Sequence, residues 1–144
     1  MAHRIDGNSN GVYVIAPTPF TADGALDLDS ARRMCEFYLG HGATGMTILG
    51  IMGEAPKLTP DESLRFVETV LKALDDRIPV IVGVSSPSFG QLQQLSRDSM
   101  AMGAAGVMVA PMPSLKTDDA IHAYYAQAIE LLGDIPVCLQ DYPQ

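Results

Sequence analysis

Two short patterns occur twice in the chain. Residues 42–48 (Gly-Ala-Thr-Gly-Met-Thr-Ile) are similar to residues 103–109 (Gly-Ala-Ala-Gly-Val-Met-Val), and the Ile-Pro-Val of residues 78–80 recurs at 135–137. Each copy leads into a short apolar run that does not alternate with polar residues, which is typical of a strand buried on both faces. A repeat that spans two such strands indicates successive βα units around a parallel sheet.

Five apolar runs predict strands, and four segments with the apolar period of a helix separate them. The first run, residues 11–20, is stopped by two prolines. The other predicted strands cover residues 45–49, 80–84, 106–110 and 137–140. The predicted helices begin after residues that can act as N-caps, which are Asp27, Thr59, Ser88 and Thr117. Glu62 and Gln91 follow two of these caps, Thr59 and Ser88, at the spacing of a capping box.

These units predict the fold class. Four and a half βα units fit the first half of an eight-stranded barrel, for which ~250 residues is typical. We therefore expect a single α/β domain over residues 1–144, in which a tail at 1–10 precedes the N-terminal half of a (β/α)8 TIM barrel. The alternative is a complete five-stranded doubly wound sheet. A half-barrel alone would expose unpaired strand edges and would have to dimerise, swap or aggregate.

Composition and charge exclude several classes of partner. The chain carries a formal net charge of -8 and no cluster of lysine or arginine, which argues against nucleic acid and anionic membranes. No apolar run approaches the ~20 residues of a membrane span, and the first ten residues lack the apolar core of a secretory signal. We therefore expect a cytoplasmic protein. The three histidines and two cysteines are not spaced as ligand sets, so we expect no metal, no cofactor and no disulfide.

The segment from Gly50 to Pro56 joins the second predicted strand to a helix and is the best candidate for a ligand site. α/β proteins place ligands in such loops, beyond the carboxyl ends of their strands. Gly50 and Gly53 permit a sharp turn and leave amide groups uncovered, which suits a small carboxylate. The alternative is an ordinary strand-to-helix turn in which Glu54 is a local cap or salt-bridge partner.

Four segments in order carry a resemblance to a known family. They are Gly-Val-Tyr-Val-Ile-Ala-Pro-Thr-Pro-Phe at 11–20, Gly50-x-x-Gly-Glu54 with Leu58-Thr59 and Glu62 following, Ile-Pro-Val-Ile-Val-Gly at 78–83, and Gly103-Ala104 leading to Ala110-Pro111. Together they resemble the dihydrodipicolinate synthase and N-acetylneuraminate lyase family over residues 11–143. The resemblance implies a (β/α)8 barrel, usually a homotetramer, that acts as a pyruvate-dependent class I aldolase.

The resemblance also implies a lysine on the sixth strand, which forms a Schiff base with pyruvate or another 2-oxo acid. An iminium withdraws electrons from the neighbouring carbon better than a ketone does, and the amine must be desolvated to be nucleophilic at neutral pH. The sequence ends before strand six. Lys57, Lys72 and Lys116 lie outside the predicted strands, so we assign none of them this role and expect the fragment alone to be inactive.

The chain departs from the family at the positions of its proton relay. The synthase carries two threonines between the loop glycines, where this chain has Ile51 and Met52. The tyrosine that opens the family's Tyr-Asn-x-Pro motif matches Gln140, and Tyr142, two residues later, is not assigned its role. A second family tyrosine falls near Met112. The hydroxyl groups of the relay are therefore replaced, while the backbone amides of the loop remain as candidate anion donors.

We therefore predict a divergent lyase or aldolase that makes or cleaves a carbon–carbon bond through a Schiff base with pyruvate or another 2-oxo acid, and that is not a true dihydrodipicolinate synthase. The candidate catalytic residues are Gln140 and Asp141, although Asp141 could equally form a turn. The candidate substrate-binding residues are Thr18, Gly50, Ile51, Met52, Gly53 and Glu54. We expect a homo-oligomer, either a dimer or a tetramer. The alternative function is a non-catalytic descendant that binds a small acid or acts as a scaffold.

Overall fold

Strands and helices alternate along residues 3–141, the part of the chain that the computed structural model describes. The strands are β1 (Tyr13–Ile15), β2 (Gly45–Ile48), β3 (Val80–Gly83), β4 (Gly106–Val109) and β5 (Val137–Leu139). The helices are α1 (Leu28–Gly40), α2 (Pro60–Leu74), α3 (Phe89–Ala101) and α4 (Asp118–Leu132). A single 3-10 turn, Ala55–Lys57, precedes α2. Every predicted element is confirmed, and Tyr142 lies outside the described residues.

The five strands form one parallel sheet in the order β1-β2-β3-β4-β5. Each helix packs against the next helix along the chain. A doubly wound sheet reverses its strand order at a switch point and carries helices on both faces. The sequential order and the single row of helices therefore exclude that alternative and agree with part of a (β/α)8 barrel.

The hydrophobic core lies between one face of the sheet and the helices. Alternate strand residues contribute to it and are almost fully buried: Met46, Ile48, Val80, Val82, Val107 and Val109. Helix residues such as Phe66, Val70 and Leu92 complete it. Because side chains alternate along a strand, Thr47, Ile81 and Met108 face the opposite side, which is the inner face of the curved sheet.

The helix starts follow the sequence signals. Asp27, Thr59, Ser88 and Thr117 each accept a hydrogen bond from a backbone amide of the first turn. The capping box is complete at Thr59 and Glu62. At Ser88 it is only half formed, because the Ser88 amide donates to the Ser86 hydroxyl (3.1 Å) instead of to Gln91. A serine two residues before the cap therefore replaces the second half of the box.

Residues 3–10 are attached to the amino-terminal end of the sheet. The Ile5 amide donates to the Ala105 carbonyl (2.9 Å), and Arg4 donates to the Asp134 carbonyl. The Ile5 side chain packs so closely on Gly106 that an added Cβ there would lie 2.7 Å from it. The polar tail expected from the sequence is thus a segment that covers the end of β4.

The two cysteines differ in their surroundings. Cys35 lies on the buried side of α1, and burial raises the pKa of its thiol to about 11. Cys138 is only partly buried, because β5 is an edge strand in the described residues. Both thiols are free. Within residues 3–141, no helix is long and apolar enough to cross a membrane.

Candidate active site

All the predicted site residues lie at the carboxyl-terminal end of the sheet. Thr18 follows β1, the segment from Gly50 to Glu54 follows β2, and Gln140 and Asp141 follow β5. Parallel strands bring these segments to one edge even though more than a hundred residues separate the first from the last. This is the end at which barrel enzymes assemble their sites from several loops.

The turn after β2 begins with a strained residue. Leu49 is almost fully buried and has a φ of 54°, in the left-handed region that bulky residues rarely adopt. Gly83 at the end of β3 allows this conformation, because an added Cβ at residue 83 would lie 2.2 Å from the Leu49 carbonyl oxygen. Strain of this kind persists where the surroundings fix it, which is often at functional sites.

Three hydrogen bonds hold the turn itself. The Gly53 amide donates to the Gly50 carbonyl (3.0 Å), and the Glu54 amide donates to the Ile51 carbonyl (3.1 Å). The buried hydroxyl of Thr18 donates to the Gly53 carbonyl (2.6 Å) and so joins the β1 loop to the β2 loop. Two of the loop amides are therefore used within the turn. The amides of Ile51 and Met52 take no part in these bonds and remain the candidate anion donors.

The top of the turn presents apolar side chains to solvent. Ile51 is 46% exposed and Met52 is 60% exposed, whereas Gly50 and Gly53 on either side are buried. An added Cβ at Gly50 would lie 3.2 Å from Met108 Cε and 3.7 Å from a methyl group of Ile15. The turn therefore lies over the inner face of the sheet at Gly50.

Glu54 leaves the turn in a left-handed conformation, with a φ of 53°. Its carboxylate is exposed and pairs with the Lys57 ammonium group, one turn later. Lys72 pairs in the same way with Glu68 on α2 and is 75% exposed. Neither lysine has the desolvated surroundings that a Schiff-base amine needs.

Two tyrosines on α4 reach the same end of the sheet. The Tyr124 hydroxyl donates to the Ser86 carbonyl (3.3 Å), and the Tyr125 hydroxyl lies 3.1 Å from the Gln140 carbonyl and 3.3 Å from the Val109 carbonyl. Burial, with smaller contributions from Tyr124 and Asp141, raises the pKa of Tyr125. These contacts were not predicted from the sequence. The adjacent tyrosine pair in the sequence could have indicated them, because a buried tyrosine hydroxyl needs a hydrogen-bond partner.

Gln140 and Asp141 lie at the end of β5. The Gln140 amide donates to the Val109 carbonyl (2.9 Å), which continues the β4–β5 ladder by one residue. Alternation from Cys138 places Gln140 on the inner face of the sheet. Asp141 is exposed and close enough to Tyr125 to act on its pKa. The Ser85 hydroxyl accepts from the Ala110 amide (2.8 Å) and joins the ends of β3 and β4.

A surface pocket lies at the other end of the sheet. It has a volume of about 410 Å³ and is lined by residues such as His3, Asp75, Pro79 and Met102, none of which was predicted to bind substrate. The five described strands do not close around a lumen, so the carboxyl-terminal site is an open surface in residues 3–141. No group of three or more metal-binding side chains occurs in that range.

Sequential parallel strands, one layer of helices and a strained loop at the carboxyl ends define the N-terminal part of a (β/α)8 barrel of the kind that carries its site at that end. The chain belongs to the dihydrodipicolinate synthetase family, whose model matches residues 8–144.

Curated relatives and solved structures agree with this assignment. The chain is 37% identical over 127 residues to the 4-hydroxy-tetrahydrodipicolinate synthase of Moorella thermoacetica, a match of 88% of this chain and 43% of that protein. It is 39% identical to the enzyme of the same name from Acidothermus cellulolyticus, which it covers to 41%. The chain therefore spans less than half the length of these relatives.

The structural matches are similarly partial. The crystal structure of dihydrodipicolinate synthase from Rhodopseudomonas palustris superposes with a TM-score of 0.92 at 46% identity, covering 98% of this chain and 47% of that chain. YagE, a prophage protein of the family from E. coli K12 solved in complex with pyruvate, matches with a TM-score of 0.81 at 27% identity, covering 92% and 45%. The described fold is thus that of the N-terminal part of such a barrel.

Proposed function

We propose that the protein containing this chain is a class I lyase or aldolase that forms or cleaves a carbon–carbon bond by way of a Schiff base with pyruvate or another 2-oxo acid. The observation that carries the proposal is the anchored turn of Gly50 and Gly53, which Thr18 holds at the carboxyl end of a barrel of this family. A relative that the chain resembles was solved with pyruvate bound, which supports the class of ligand.

The residues of this chain would bind and orient the acid. The amides of Ile51 and Met52 are candidate donors to its carboxylate, and Gln140 on the inner face is a candidate for the reacting end. Asp141 would exchange protons with solvent or with a bound water, because it is exposed beside the site. The Schiff-base lysine would come from residues beyond 144.

Borohydride reduction of the full-length protein with pyruvate tests this proposal. Reduction of an iminium fixes the pyruvate carbon skeleton on one lysine, and peptide mapping then locates it. We expect one adduct, outside residues 1–144. An adduct on Lys57, Lys72 or Lys116 would contradict the expected location of the lysine, and no adduct at saturating pyruvate would contradict the Schiff-base assignment.

We further propose that the protein is not a true dihydrodipicolinate synthase. Ile51 and Met52 have no hydroxyl group with which to relay a proton between substrate and solvent. We expect the full-length protein to condense pyruvate with aspartate semialdehyde at least 100-fold more slowly than a hydroxyl-bearing relative, about the contribution of one general acid or base. A coupled assay with a relative that carries the two threonines as the reference measures this difference, and equal rates would overturn the proposal.

The same substitutions support a second candidate, a non-catalytic descendant that binds a small acid or acts as a scaffold. It predicts saturable pyruvate binding in calorimetry without a borohydride adduct. For either candidate we propose a cytoplasmic homo-oligomer, either a dimer or a tetramer, and light scattering of the full-length protein measures its mass. A monomer would contradict the oligomeric proposal.

A further inference from the structure

An apolar surface borders the proposed site where hydrogen-bonding groups would be expected. It consists of Ile15, Gly50, Ile51, Met52 and Met108, which we call the apolar rim. Gly50 joins the two parts of the rim, since its backbone lies against both Ile15 and Met108. The rim thus runs from the inner face of the sheet to the top of the turn.

The top of the rim is exposed although its backbone is fixed, whereas Gly50 and Met108 are buried. Ile51 and Met52 are 46% and 60% exposed, while three hydrogen bonds and the close approach of Leu49 to Gly83 hold the turn beneath them. A turn that served only to join a strand to a helix would place polar residues at its top. Two large apolar side chains on a turn held by these contacts, beside the candidate site, are suited to form a preorganised contact surface for a ligand.

The rim has few polar groups to offer. The hydroxyl of Thr18, which contacts the turn, is buried and donates to the Gly53 carbonyl. The Glu54 carboxylate pairs with Lys57. A hydroxylated or charged substituent placed against the rim would lose its water without gaining a partner, whereas an apolar substituent would gain by burial.

We infer that Ile51 and Met52 determine specificity by selecting a 2-oxo acid, or the aldehyde joined to it, that carries an apolar aliphatic or aromatic substituent and by rejecting polyhydroxylated and charged ones. The inference rests on the proposed function, because it assigns the substituent carried by the ligand of the same site. The amides of Ile51 and Met52 would hold the carboxylate while their side chains contact the substituent.

Equilibrium binding separates this inference from the catalytic proposal. Calorimetry on the full-length protein compares pyruvate, 2-oxohexanoate and 2-oxoglutarate, which share the 2-oxo acid group and differ in the rest of the chain. We expect 2-oxohexanoate to bind at least about tenfold more tightly than pyruvate or 2-oxoglutarate, within the range that methylene contacts give in apolar pockets.

Variants of the rim provide the comparison. Ile51→Thr keeps the branch at Cβ and adds a hydroxyl group, and Met52→Thr shortens the second side chain. We expect each to reduce the preference for 2-oxohexanoate several-fold, because each removes apolar contact area. Ile129→Thr is the matched control, because Ile129 on α4 has the same 46% exposure and lies away from the carboxyl-end loops, so its preference should equal that of the unaltered protein.

Each other outcome has a defined meaning. Equal affinities for the three acids, or no binding of any of them, overturn the inference. An unchanged preference in both rim variants also overturns it, and a lower mass of those variants in solution would then identify the rim as a contact between copies. A retained preference without a borohydride adduct would contradict the catalytic proposal alone, and an adduct without a preference would contradict the specificity alone.

Discussion

Gly83 is the residue that allows the loop after β2 to adopt its strained form. The Leu49 carbonyl occupies the space that a side chain at residue 83 would need, so even a methyl group must displace the turn. The left-handed conformation of Leu49 could not be predicted from the sequence, because leucine does not favour it. Its cause is a contact between neighbouring strands, which only the folded chain brings together.

We expect Gly83→Ala to destabilise the full-length protein by about 1–3 kcal/mol, the usual cost of overpacking a buried position. Gly90→Ala is the control, because the nearest atom to its added Cβ is the Ser88 hydroxyl at 3.8 Å. Alanine there should be neutral or stabilising by up to about 1 kcal/mol, since Gly90 lies in α3. Urea-induced unfolding measures both variants, and equal stabilities would contradict the close approach.

Thr18 is the second residue on which the turn depends. Thr18→Val keeps the shape of the side chain but leaves the Gly53 carbonyl without its buried donor, which we expect to cost about 1–3 kcal/mol. The same variant should weaken pyruvate binding, because the turn that presents the Ile51 and Met52 amides would loosen. Thr21→Val instead removes only exposed hydrogen bonds, to the Asp23 carboxylate and with the Ala25 backbone, and should cost less than about 1 kcal/mol. If Thr18→Val and Thr21→Val lost equal stability and equal affinity for pyruvate, Thr18 would not have this role.

At the scale of elements, the caps were the best predicted feature. Asp27, Thr59, Ser88 and Thr117 act locally, through amides within three residues, so the sequence alone contains the necessary information. The predicted bond from the Ser88 amide to Gln91, the second half of the capping box, was wrong because the Ser86 hydroxyl accepts from that amide instead. The strand over residues 11–20 shrank to Tyr13–Ile15, since the prolines that follow donate no ladder hydrogen bonds.

The capping box of α2 makes the stability of that helix depend on pH. The Glu62 carboxylate accepts hydrogen bonds from the Thr59 amide (2.8 Å) and the Thr59 hydroxyl (2.9 Å). These two bonds lower the pKa of Glu62 from the usual 4.5, and the bond from the amide has the larger effect. A lowered pKa in the folded state means that the carboxylate stabilises the fold above the unfolded value and that this contribution is lost as the pH falls through the folded value.

We therefore expect the stability of the unaltered protein to fall more steeply below about pH 4.5 than that of Glu62→Gln, whose amide cannot titrate over that range. Above pH 6 the carboxylate is fully charged, so the difference between the two proteins should be constant there. Denaturant unfolding at several pH values measures the two curves. Parallel curves throughout the acid range would show that the Thr59 bonds do not favour the charged form.

At the scale of the whole molecule, the sequence predicted the barrel but left a doubly wound sheet open. Both folds alternate buried strands with amphipathic helices, so their hydrophobic sequence patterns are nearly the same. Only the order of strands separates them, and strand order depends on contacts between distant residues. The site residues Thr18, Gly50 and Gly53 lie together, as the barrel requires, while the roles of Gln140 and Asp141 stay predictions.

The edges of the described sheet lead to the last prediction. β1 and β5 each pair on one side only within residues 3–141, and Leu139 on β5 is 54% exposed. A polypeptide of residues 1–144 made alone would present unpaired backbone groups together with apolar side chains, which is a template for strand pairing between chains. We therefore expect it to associate at micromolar concentrations, as measured by sedimentation velocity.

A lysine on the edge should oppose that association, because a charged side chain cannot be buried in a new strand pair without losing its water. We expect Leu139→Lys to shift the polypeptide towards the monomer. Ile129→Lys introduces the same charge on α4, at a residue that is 46% exposed and away from both edges, and should leave the association unchanged. Equal effects of the two substitutions would mean that net charge, not strand pairing, controls the association. A monomeric and cooperatively folded polypeptide would mean that the edges of the half-barrel are already protected.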